Sequence, residues 1–156
     1  MPCAMYTPRM QILGVDLGDR RIGLAISDPS ERIALGAGFL EVRSRSEGLS
    51  SLSEFVARNG IDEVVVGLPL TMSGERGERA RITERFVEQL AKVITSPIRL
   101  WDERFTSDAA RRSVVDAGPG ARRAARRHRG RTDEIAATLL LQSWLDSRCR
   151  ASDQER

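Results

Sequence analysis

Residues 12–28 read "ILGVDLGDRRIGLAISD": two apolar runs around a short polar break, with a carboxylate set into the first run. Ile22, Leu24 and Ile26 alternate with small or polar residues, the period of a strand with one buried face. Residues 10–16 read as a strand too, and Gly18 and Asp19 between the runs are turn residues for a tight hairpin. Asp16 is the anomaly. A carboxylate beside Ile12, Leu13 and Val15 is costly to desolvate unless a cation faces it, whether an arginine, a helix N-terminus or a metal ion.

Working outward, "RIALGAGFLEVR", residues 32–43, reads as a third strand with glycine bends, which completes an antiparallel meander. The period then changes. Leu49, Leu52, Phe55 and Val56 recur at helical spacing up to Gly60, a natural residue to end a helix. "DEVVVGLPL" reads as a buried strand, because its valines run without alternation. Ile82, Phe86, Leu90 and Val93 mark an amphipathic helix over about 76–94, and Pro97 separates it from a short strand, "IRLW". A helix over 107–117, a loop over 118–131 that contains the arginine-rich stretch, and a helix capped by Thr132 with Ile135, Ala136, Leu139, Leu140 and Trp144 on its apolar face complete the chain. The order β-β-β-α-β-α-β-α-α predicts an α/β fold with one mixed five-stranded sheet. In it an antiparallel three-strand meander is followed by parallel strands, and helices cover the faces. A single domain is expected over 10–147, with tails at 1–9 and 148–156.

With 156 residues, the chain is long enough to bury a core without disulfides. Cys3 and Cys149 make neither a metal-ligand spacing nor a disulfide framework, and His128 has no nucleophile motif to serve. No apolar run approaches the ~20 residues that span a bilayer, and the first residues do not read as a secretory signal, so a cytoplasmic protein without membrane contact is expected. Net charge is only +3, but its distribution is uneven: Lys92 is the single lysine, and "ARRAARRHRGR" at 121–131 holds six arginines and no acid. Arg122, Arg123, Arg126, Arg127, Arg129 and Arg131 are therefore candidates for binding a polyanion, with a merely solubilising loop as the alternative.

Ligands of open α/β sheets gather at the carboxyl ends of strands. Asp16 ends the first strand, Asp102 and Glu103 end "IRLW", and Asp133 opens the last helix on its packed face. Converging carboxylates raise each other's pKa values unless a hard divalent cation such as Mg²⁺ or Mn²⁺ joins them. Two such ions about 4 Å apart can hydrolyse a phosphodiester. Taken singly, each acid has an ordinary alternative: Asp133 as a helix N-terminal acid, Glu103 as an ion-pair partner of Arg104, Asp16 as an acceptor for turn amides.

"GVDLGDRRIGLAISD", "DEVVVGLPLTMSGERG", "WDERFTSDAA" and "RTDEIAATLLLQSWL", in this order and spacing, resemble the YqgF family, also called RuvX, over about residues 10–147. The resemblance implies a ribonuclease H-like fold and a nuclease using Mg²⁺ or Mn²⁺ that trims the 5′ end of precursor 16S ribosomal RNA. By position it implies Asp16, Glu103 and Asp133 as catalytic and metal-binding residues. Arg104 and Thr106 support them, the arginines from Arg122 to Arg131 match the family's basic stretch, and Arg104 joins those arginines as an expected nucleic-acid contact. Thr71 stands where the family often has asparagine. Ribosomal particles are expected partners beside nucleic acid, and a homodimer is left open. Three rivals accompany this reading: an ATP-binding domain of the actin and sugar-kinase type, a non-catalytic nucleic-acid-binding module, and a Holliday junction resolvase acting on branched DNA. The first needs a second domain, and the second would lack one of the acids. The third calls for a dimer with two active sites.

Overall fold

A computed structural model describes residues 9–104, 106 and 129–154. The hairpin comes first: β1 (Ile12–Leu17) and β2 (Arg21–Ser27) pair antiparallel, and the Gly18 N–H donates to the Arg21 carbonyl at 2.9 Å to close the turn. β3 (Ala34–Glu41) pairs antiparallel with β2, with a bulge where Gly38 takes φ 85°, a conformation natural to glycine. α1 (Arg45–Asn59) is capped by Ser44, whose hydroxyl accepts from the Glu47 N–H, and it ends at Gly60 in the left-handed region. β4 (Glu63–Leu68) and β5 (Ile98–Asp102) extend the sheet in parallel on the free side of β1, and α2 (Glu78–Leu90) connects them. The order is β3-β2-β1-β4-β5.

The last described element is α3 (Arg129–Gln154). It begins a turn earlier than Thr132 suggests, so Thr132 lies inside the helix and Asp133 stands in its second turn, not its first. Arginines on either side of Gly130 are good helix formers, and one glycine costs only ~1 kcal/mol. The helix also runs beyond Ser147, through residues read as a polar tail. There the Arg148 guanidinium stacks on the Trp144 ring at 4.8 Å and faces the carboxylates of Glu31 and Glu63. The expected helix over 107–117, the arginines Arg122, Arg123, Arg126 and Arg127, and Cys3 lie outside the described residues.

Strand alternation divides the core by face. Leu13, Val15, Ile22, Leu24, Val64 and Val66 pack with Leu52, Val56, Phe86 and Leu90 of α1 and α2. Ile12, Ala25 and Val65 pack on the opposite face with Ala137, Leu141, Trp144 and Leu145 of α3. That second face is lined by small residues, which let α3 lie close against the sheet. A Cβ added at Gly14 would stand 2.7 Å from the Leu141 Cβ. Among the described residues no helix is long and apolar enough to cross a membrane.

Candidate active site

Asp16 is the penultimate residue of β1, and Glu103 directly follows β5. Both strands run parallel to β4 between them, so their C-terminal ends share one rim. Alternation directs Asp16 away from the face of Leu13 and Val15 and towards the α3 side, where Gly14 meets Leu141. The Glu103 N–H donates to the Leu68 carbonyl at 3.1 Å, adding one rung beyond the strand. The chain then turns as the Thr106 N–H donates to the Glu103 carbonyl at 2.9 Å.

Two glycines make room for the acids. A Cβ at Gly67 would lie 2.6 Å from Glu103 Oε1 and 3.0 Å from Leu140 Cδ1, so the carboxylate occupies the notch this glycine leaves. Gly23 is the ladder partner of Asp16, and a Cβ there would collide with the backbone carbonyl of Asp133. This close approach puts Asp133 beside Asp16 from across the sheet face.

The electrostatics follow from this crowding. Asp16 and Glu103 are hydrogen-bonded to each other. Burial, then the charge of Asp16, pushes the Glu103 carboxyl up to about 7, so that below this value Glu103 holds a proton it can donate to Asp16. Asp16 itself is raised, first by burial and then by the charge of Asp133. Burial also raises Asp133, and Arg21 partly offsets the rise. Arg79, at the start of α2, is the cation that offsets the rise at both Asp16 and Glu103. Asp102 has a different role. Its carboxylate takes the Arg104 guanidinium in a fork, at 2.9 Å from Nε and 2.6 Å from Nη2, and accepts the Arg104 backbone N–H at 2.9 Å. These bonds hold Asp102 below the usual carboxylate range.

Among the described residues no three His, Cys, Asp or Glu side chains stand close enough to hold an ion together. The arrangement is a contacting pair with a third acid alongside. That set fits a hard cation of the Mg²⁺ type, which is held by one or two carboxylates and completes its shell with water and phosphate oxygens.

Arg129 and Arg131 fall in the first turn of α3. The Thr106 hydroxyl is buried with no hydrogen-bond partner among the described residues. Thr71, where the family pattern has asparagine, closes a turn after β4: its hydroxyl accepts from the Glu75 N–H at 3.0 Å and lies 2.9 Å from the Ser73 hydroxyl. The turn packs beside Arg104, whose Nη1 would stand 3.1 Å from a Cβ at Gly74. Sequence reasoning missed Arg79, and it missed Gly23 and Gly67 as spacers. The pairing of Asp16 with Gly23 in a hairpin register was the one available signal.

A family model described as "RuvX: Holliday junction resolvase" matches residues 10–147. A Chloroflexus aggregans protein named "Putative pre-16S rRNA nuclease" is 40% identical over 137 residues, covering 88% of this chain and 94% of that one. One of the same name from Pelotomaculum thermopropionicum is 41% identical over 142 residues, 90% of each chain. Among solved structures, T. thermophilus RuvC in complex with Holliday junction substrate aligns with a TM-score of 0.59 at 14% identity, over 90% of this chain and 96% of that one. Fowlpox virus resolvase with Holliday junction DNA aligns at 0.52 and 13% identity, over 88% and 98%. The fold is ribonuclease H-like, as these matches and the strand order agree.

Proposed function

This chain belongs to the RuvX family, and from the contact between Asp16 and Glu103 at the sheet rim we propose a divalent-metal-dependent nuclease that matures the 5′ end of precursor 16S ribosomal RNA. The observation that carries this reading is that pair: two half-buried carboxylates at strand ends, hydrogen-bonded to each other with Asp133 alongside. A structural role does not require carboxylates to oppose one another, whereas holding a cation does. Asp16 and Glu103 would hold Mg²⁺ or Mn²⁺, with Asp133 close enough in charge to complete the site once a phosphate arrives. Such an ion, when bound, supplies positive charge to the scissile phosphate and lowers the pKa of attacking water.

The protein's own groups do the rest. Gly67 and the turn through Thr106 fix the Glu103 carboxylate, and the Asp102–Arg104 fork stiffens the chain on either side of it. Arg79 gives the rim a positive charge that can meet a phosphate oxygen. The arginines Arg122, Arg123, Arg126, Arg127, Arg129 and Arg131 hold the phosphate backbone without reading its sequence. The setting is the cytoplasm, with ribosomal particles as partners.

Cleavage assays with Mg²⁺ and with Mn²⁺, on precursor 16S RNA, single-stranded DNA and a four-way DNA junction, test this. The expected result is metal-dependent cleavage of the RNA near its mature 5′ end. Symmetric cutting of the junction with the RNA left intact would favour a resolvase, the activity named in the family description. No cleavage of any of the three would refute a nuclease.

A further inference from the structure

A second concavity opens on the other side of the same rim. Leu17, Gly18 and Asp19, which continue the chain directly from Asp16, form one wall of a cleft of about 280 Å³ between the hairpin, α1 and α2. Its floor is apolar: Ile22, Val42 and Phe86, with Gly48 of α1 contributing no side chain. Its mouth carries three guanidinium groups, Arg43, Arg45 and Arg79. Arg79 stands 3.9 Å from the one acid in the lining, Asp19, while Arg43 and Arg45 have exposed side chains and no ion-pair partner among the described residues. Arg79 thus belongs to two places at once, acting on Asp16 and Glu103 and bordering the cleft.

An apolar slot rimmed by arginines matches a flat hydrophobic ring attached to a phosphate. The volume is at the lower edge of the ~300–1,000 Å³ typical of small-molecule sites, which suits one nucleotide and excludes a base pair. We propose that this cleft receives one unpaired nucleotide flanking the cleavage site, its base on the apolar floor and its phosphate on Arg43, Arg45 and Arg79. The proposal rests on the nuclease reading and adds a specificity to it: the strand must be unpaired beside the cut. The base is recognised by shape and apolar contact, so the cleft accepts RNA and DNA alike.

The test is made on binding, so that it does not depend on cleavage. The full chain in EDTA is mixed with a short single-stranded oligonucleotide carrying 5-iodouridine at one position at a time, and irradiated. Crosslinks from one position to peptides of the cleft are expected. An abasic residue at that position weakens binding about tenfold, and abasic residues elsewhere do not. Ile82→Trp, which narrows the cleft, lowers affinity for the intact strand and leaves affinity for the abasic strand unchanged. Arg45→Ala, an exposed change that the fold tolerates, weakens both strands and flattens the salt dependence. Crosslinks that avoid the cleft, or an abasic scan flat at every position, overturn the proposal, as does failure to bind. Crosslinking in the cleft by a protein that cleaves no substrate with metal would remove the nuclease reading and leave the nucleotide site standing.

Discussion

At the N-terminal end of β4 the carboxylate of Glu63 is buried between Arg99 at 3.0 Å and Arg148 at 3.7 Å, whereas at the C-terminal ends of β1 and β5 those of Asp16 and Glu103, both half-buried, face each other. The sheet is the same, and so is the residue chemistry. The difference lies in where the arginines go. Arg99 comes from the strand next to Glu63, and Arg148 comes from a late turn of α3. At the opposite end the arginine nearest Glu103 in sequence is forked to Asp102, and Arg79 stands opposite two acids. An acid whose charge is matched within the protein serves the fold. Acids whose charge is left over would, on the function proposed above, take up a cation from outside.

The largest expected effect comes from removing one of the unmatched charges. Asp16→Asn should lower cleavage by about 10²–10³-fold. The melting temperature should stay at or above that of the unchanged protein, because the repulsion from Asp133 is removed and an asparagine oxygen can still accept the hydrogen bond from Glu103. Comparable turnover in the two proteins at saturating metal would place the chemistry elsewhere.

The converse change at the matched end should do the opposite. Glu63→Ala leaves Arg99 without its partner and Arg148 with Glu31 alone. Breaking a wholly buried pair costs ~3–5 kcal/mol. Arg99 and Arg148 are 62% and 44% exposed and can turn to water, so a loss of about 1–2 kcal/mol is expected in chemical denaturation. Specific activity of the folded fraction should be unchanged. A fall in turnover without a fall in stability would erase the contrast between the two ends.

A smaller and subtler effect lies in pH. Glu103 binds its proton up to about pH 7 when folded, against an ordinary value of 4.5. Between those values the folded chain holds a proton that the unfolded chain has lost, so stability of the metal-free protein falls as pH rises through this window and levels off above it. Asp16 and Asp133 are shifted in the same direction. Asp102 and Asp28 are held low by hydrogen bonds and contribute the opposite slope, but only at lower pH. Thermal melts in EDTA from pH 4.5 to 7.5 should show the decline, and Glu103→Gln should reduce it. A wild-type curve that rises across this range would contradict the shared proton.

How much of this could be read in the sequence follows the range of the interactions. The hairpin around Asp16, the end of α1 at Gly60 and the run of β4 are fixed by neighbours in the chain, and alternation and turn chemistry reveal them. The choice between Asp102 and Glu103 was not fixed by strand position. It turns on which carboxylate Arg104 reaches and which one the notch at Gly67 admits. Arg79 was invisible because it lies far along the chain from Asp16 and acts through space, from a helix whose first turn carries no special signature. The start of α3 was misjudged because Thr132 can cap a helix but need not, and local preference does not exclude one more turn. Gly14 and Gly23 carry no signal of their own in the sequence, yet they act as spacers for a helix more than a hundred residues later.

The contrast between the two ends reduces to one measurement: Mn²⁺ binding followed by isothermal titration calorimetry for the unchanged chain, Asp16→Asn and Glu63→Gln. Run at pH 6.5 in two buffers of different ionisation enthalpy, it also counts protons. The expected result is binding by the unchanged chain and by Glu63→Gln with release of part of a proton, and an affinity more than about tenfold lower for Asp16→Asn. Equal affinity in all three proteins would mean that the opposed carboxylates at the C-terminal rim do not hold the metal.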